Sequence, residues 1–185
     1  MKKYYEARHI FISISIVVAV AAPIFLLFVP IAIANNVHYT KENWFVFLSP
    51  SVYWLYGAGF FLLLVAALLP AIFYVKKIPV SLSIMSVVLS LFVFYAASQH
   101  HQVLSDNAIS YQPLFSQTEY TYSWDNLKRV VHHANIDGST SKYVFQFKDG
   151  NKLTIRDNGY FENIKIRLRH KLQDQGIQIK AAASG

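Results

Sequence analysis

The sequence predicts an integral membrane protein in which three transmembrane α-helices are followed by a small antiparallel-β domain with a C-terminal α-helix. Three observations predict this. Only 15% of the 185 residues are charged, against about 25% in soluble domains. The charge is partitioned: residues 1–98 carry six Lys/Arg and two acids, and residues 99–185 carry eleven and eight. Turn signals and period-2 alternation begin only after the apolar stretches end. The expected organisation is a membrane domain over 1–98, a polar α+β domain over 99–180, and a featureless tail over 181–185.

About 20 apolar residues cross the hydrocarbon core. The first span is expected over 10–34, too long for the apolar region of a signal peptide. The second is expected over 53–75 and the third over 79–98, with Pro79 in the first turn, where a missing N–H does no harm. Trp44–Ser51 is rich in aromatic residues and reads as an interfacial segment. As a re-entrant hairpin, Trp44–Tyr56 would instead change the number of crossings. Pro23, Pro30 and Pro70 read as local bends. Ser15, Ala19 and Ala22 share one face of the first span, and Ser83, Ser86 and Ser90 share one face of the third. Small residues let membrane helices approach closely, so these six are the expected packing positions.

Lys2, Lys3 and Arg8 precede the first span, and Lys76 and Lys77 separate the second from the third. Between the first two spans Lys41 is balanced by Glu42. The positive-inside rule then predicts a multi-pass protein of the cell (inner) membrane with a cytoplasmic N-terminus. Three crossings place the C-terminal domain outside the cytoplasm.

Within that domain, turn signals at Asp106-Asn107, Ser116-Gln117, Asp137-Gly138 and Asp149-Gly150 separate segments of strand composition. The expected strands are 101–105, 108–115, 118–124, 127–135, 142–148 and 152–156. Tyr143, Phe145 and Phe147 alternate with Val144, Gln146 and Lys148, the period of a sheet with one buried face. Asp149-Gly150 suits a type I′ hairpin turn. Phe161, Ile164, Leu168 and Leu172 then recur at i, i+3, i+7 and i+11, which predicts an amphipathic helix over Gly159–Gln175.

The stretch "LSDNAISYQPLFSQTEYTYSWDNLKRV", with its Trp-Asp-x-Leu step at Trp124–Leu127, leads to "YVFQFKDGNKLTI" and the terminal helix. Over about residues 104–175 this pattern resembles the bacterial pleckstrin-homology-like domains found behind membrane spans in small bacterial proteins. The resemblance implies antiparallel strands closed by one helix. Such domains usually follow two spans and face the cytoplasm, whereas three spans argue for the other side. No Lys or Arg occurs between Lys77 and Lys128, so the resemblance does not carry phosphoinositide binding with it.

The chain has no cysteine, which excludes disulfides, thiolate metal sites and cysteine nucleophiles. No catalytic or nucleotide-binding motif is present. The pairs His100-His101 and His132-His133 would point to opposite faces of a strand, so neither alone makes a metal site. The acids Asp125, Asp137, Asp149 and Asp157 fall mostly in turns, where Asp bonds its own backbone. Asp, Glu, Lys and Arg are missing from the span cores, which argues against an ion or proton pathway.

The expectation is therefore a non-enzymatic accessory or regulatory membrane protein, without metal or cofactor. Its partners are the lipid bilayer and another membrane protein or a second copy, not nucleic acid. Lys165, Arg167, Arg169 and Lys171 on the terminal helix form the candidate interaction surface, together with Phe115 and Trp124 if those rings are exposed. The alternative is a lipid-binding or small-ligand-binding membrane protein.

Overall fold

The computed structural model describes residues 2–134 and 140–181; the expected Asp137-Gly138 turn and tail residues 182–185 lie outside them. The chain divides into two compact units, residues 1–36 with 50–100, and residues 37–49 with 101–185.

The first unit is helical. Helix α1 (Lys2–His38) runs unbroken through Pro23 and Pro30. Helix α2 (Pro50–Ile72) starts at a proline, whose fixed φ suits a first helical position. Helix α3 spans Lys77–Gln99. Three helices are long and apolar enough to cross a membrane, over Ala7–His38, Pro50–Ile72 and Lys77–Gln99. The second ends before the expected residue 75, because Tyr74 takes a left-handed conformation (φ 59°) that an α-helix cannot continue. Helices α2 and α3 pack through small residues and aromatic rings. The ring of Phe94 lies against Gly59, where a Cβ would collide with it, and packs on Phe60 at 5.1 Å and on Tyr56 at 5.6 Å.

The second unit contains two sheets. Strands β1 (Asn43–Phe47), β2 (His101–Ser105), β3 (Ala108–Gln112) and β4 (Tyr120–Ser123) form an antiparallel sheet in sequence order. A 3₁₀ turn at Trp124–Asn126 leads into β5 (Leu127–His133). With β6 (Lys142–Phe147), β7 (Lys152–Arg156) and β8 (Ile179–Ala181) it forms a second sheet in the order β7-β6-β5-β8.

Two features depart from expectation. The segment read as interfacial is strand β1. Val46 pairs with Val103 of β2, and Phe47 packs on Phe161 of the closing helix at 5.8 Å. Residues 37–49 therefore belong to the polar unit, not to a membrane domain ending at residue 98. The second departure is β8, which pairs parallel to β5, so the sheets are not wholly antiparallel.

Helix α4 (Gly159–Asp174) closes the unit, capped by Asn158, whose side chain accepts from the Phe161 N–H. Its apolar stripe, Phe161, Ile164, Leu168 and Leu172, is buried in one core with Tyr143, Phe145 and Phe147 of β6. The alternation read from β6 and the stripe read from α4 both hold.

Candidate interaction surface

Two of the basic residues of α4 are held by nearby carboxylates. Arg167 points toward β1 and the β2–β3 turn. Its Nη2 donates to both carboxylate oxygens of Asp106, at 2.7 and 2.8 Å, and its guanidinium lies 5.0 Å from the Trp44 ring centroid. Trp44 Nε1 donates to the same carboxylate at 2.9 Å, and the indole stacks on Trp124 at 5.3 Å. The Trp44 hydrogen bond and then Arg167 hold the Asp106 carboxyl below its usual range. Lys165 is engaged with Glu162 at 2.8 Å and Asp157 at 3.4 Å, and its pKa is raised chiefly by the Glu162 contact. Lys171 is half-buried, while Arg169 is exposed. Two of the four expected surface cations are thus held in intramolecular ion pairs.

The two aromatic candidates separate clearly. Trp124 is only 2% exposed, with Nε1 donating to the Ser105 carbonyl at 3.1 Å. It is a core residue and is excluded from the surface. Phe115 is 74% exposed and sits at φ 61°. Ile166, not predicted from sequence, is 69% exposed. Its signal was legible: it lies two residues from Ile164, off the apolar stripe and on the face that carries Arg169 and His170.

The expected helix-packing residues also divide. Ser90 Oγ donates to the Gly59 carbonyl at 2.9 Å and Ser83 Oγ to the Ala66 carbonyl at 2.5 Å, while Ser86 is half-buried. That face of α3 meets α2. On α1, Ser15 is buried but donates to the Phe11 carbonyl one turn back. Ala22 is half-buried and Ala19 exposed, so the α1 face is not continuous.

One histidine of each pair, His101 and His132, packs against an aromatic ring beside a carboxylate. His101, two residues past the end of α3, is buried at the start of β2. Its Nε2 is 3.1 Å from Glu119, and its ring stacks on His38 at 3.9 Å. His132 stacks on Tyr143 at 4.4 Å, with Nε2 3.6 Å from Asp157. Among the described residues, no group of three or more His, Cys, Asp or Glu side chains could hold a metal ion.

Other perturbed groups in this unit serve packing and turns. Burial pushes Tyr111 up to about 12 and also raises Tyr143. Asp149 accepts from the Asn151 N–H at 2.9 Å, as its turn position predicted, and from the Tyr122 hydroxyl at 2.5 Å. The Tyr122 bond is the main reason its carboxyl stays below the usual range. Asp157 differs from the turn expectation, because its carboxylate faces Lys165 and His132 across the sheet–helix junction.

The chain matches no family model and no curated protein.

Proposed function

We propose that this is a non-enzymatic accessory or regulatory membrane protein whose pleckstrin-homology-like domain mediates protein interaction at the membrane surface. One observation carries the reading. Over the described residues from His101 to Ala181, Phe115 and Ile166 are the large hydrophobic side chains left exposed, at 74% and 69%, while the core residues around them are buried. Exposed apolar anchors beside cations such as Arg169 suit a protein partner better than solvent.

The pleckstrin-homology-like reading is supported by the order of antiparallel strands followed by one closing helix. In that order the first strand is β1, and α2 and α3 occupy the connection from β1 to β2. The first hairpin therefore has no ordinary loop in which basic residues could gather around a phosphoinositide.

The proposed setting is the cell membrane, with the N-terminus cytoplasmic and the domain outside. The cations at Lys2, Lys3, Arg8, Lys76 and Lys77 support that orientation.

The test uses the full chain in mild detergent, carrying a photo-crosslinking amino acid at residue 115, 166 or the exposed control position 154. A defined partner, or a second copy, should crosslink from 115 and 166 and not from 154. Ile166→Ser should reduce recovery of that partner without changing the melting temperature. A strictly monomeric protein with no adduct at either position would overturn the reading.

A further inference from the structure

The membrane unit has an unusual charge distribution at one end. Residues 7–36 and 50–100 contain three Lys/Arg, namely Arg8, Lys76 and Lys77, and no Asp or Glu. Before them, the single acid Glu6 is outnumbered by Lys2 and Lys3.

The fold ties Arg8 to residues next to the turn that carries Lys76 and Lys77. Arg8, near the start of α1, donates from Nε to the Ala71 carbonyl at 3.0 Å. That carbonyl belongs to the last turn of α2, where backbone acceptors lose their helical partners. The guanidinium also lies 5.0 Å from the centroid of the Tyr74 ring. Arg8 is thus tied to the α2–α3 turn, while its Nη groups have no hydrogen-bond partner among the described residues. Tyr74, at φ 59°, reverses the chain and delivers Lys76 and Lys77 to the same turn. Both lysines are exposed, and neither has a carboxylate partner among the described residues. The contrast with α4 is informative, because Lys165 and Arg167 there are each neutralised by a nearby acid.

Tyr74, Val75, Lys76 and Lys77 line an open cleft of about 490 Å³. Exposed Ile72, Phe73 and Ile78 flank it. Unpaired cations around a cleft, bordered by apolar side chains at the end of spanning helices, match one ligand chemistry. That ligand has an anionic phosphodiester and two hydrocarbon chains. The unpaired lysines would be satisfied by the phosphodiester and the apolar flanks by the acyl chains of the same molecule, which a soluble anion could not do.

We propose that the α2–α3 turn, with Arg8, Lys76 and Lys77, is a binding site for the headgroup of an anionic phospholipid. Arg8 and the lysines would contact the phosphate, and the acyl chains would lie along the exposed apolar ends of α2 and α3. The site is independent of the interaction reading for the polar domain, since it shares no residue with it.

Native mass spectrometry of the full chain in detergent, titrated with phosphatidylglycerol or phosphatidylcholine of the same acyl composition, tests this. Phosphatidylglycerol adducts should survive at lower lipid concentration than phosphatidylcholine adducts. Lys76→Gln should weaken phosphatidylglycerol binding about fivefold, the effect of one cation near an anionic lipid, and R8Q/K76Q/K77Q about a hundredfold. Arg169→Gln, in the polar domain, should leave it unchanged. The Lys76 side chain makes no hydrogen bond or ion pair among the described residues, so the single variant remains informative if the triple variant misfolds. Equal retention of the two lipids, or wild-type affinity in Lys76→Gln, would overturn the proposal. So would displacement of the lipid by millimolar inorganic phosphate, which would identify a free-phosphate site.

Discussion

Phe115 combines two costs at one position, a 74% exposed phenyl ring and a left-handed backbone at φ 61°. An L-residue with a bulky side chain pays about 1–2 kcal/mol for that conformation, and Asn pays less. Phe115→Asn is therefore expected to stabilise the protein by about 1 kcal/mol, read as a higher melting temperature in detergent, while it weakens partner recovery. A lower melting temperature would show that the ring packs on the fold. Tyr111 makes a different prediction. Its phenol is pushed up to about 12 by burial, above about 10 in the unfolded chain. Its contribution to stability is complete below pH 10 and is lost as pH rises from 10 toward 12. Tyr111→Phe should flatten that alkaline loss of stability, followed by thermal unfolding across pH. An unchanged alkaline slope in the variant would count against the buried phenol as its cause. Sequence showed Phe115 and Trp124 as aromatic residues in one stretch, but not which was buried. That depends on Trp124 reaching the Ser105 carbonyl and the face of Trp44, both supplied from distant parts of the chain.

At the scale of elements, legibility followed the range of the contacts. Strands β2 to β7 and helix α4 announce themselves through alternation, an amphipathic stripe, an Asn cap and local turns, all visible within a few residues. Strand β1 does not, because its partner β2 lies beyond two spanning helices. Its composition, Asn-Trp-Phe-Val-Phe, suits a headgroup layer and a sheet equally well. β8 is three residues long and pairs in parallel, so it leaves no local pattern. If β1 is integral to the domain, Phe47→Ala should leave a cavity in the core beside Phe161. The expected cost is about 3–5 kcal/mol, seen as protease sensitivity throughout residues 101–181 although the change lies outside them. The α2–α3 pair has its own test. Gly59→Ala places a Cβ against the Phe94 ring and should destabilise the pair by about 1–3 kcal/mol. Phe94→Leu in the same chain should recover part of that loss; strictly additive effects would show that the two sites do not touch.

At the scale of the molecule, the pairing of β1 with β2 constrains the path of the whole chain. Residues 43–47 and 101–105 lie in one sheet, so they must share one side of a membrane. The chain between them contains α2 and α3, each long and apolar enough to cross. An out-and-back path through those two helices satisfies the constraint, and α1 then makes the third crossing. A re-entrant Trp44–Tyr56 is incompatible with this geometry, because that segment is divided between β1 and α2. The absence of native cysteine makes the path directly measurable with Lys41→Cys, Lys148→Cys and Lys76→Cys, all at exposed positions. An impermeant thiol reagent applied to intact cells, or to spheroplasts where an outer membrane is present, should label residues 41 and 148 alike. Residue 76 should react only after permeabilisation. The reverse pattern, with 76 labelled and 41 and 148 protected, would keep the sheet-imposed path and invert the proposed orientation. Labelling of 41 and 148 on opposite sides would break the β1–β2 pairing itself, and with it the second unit as described.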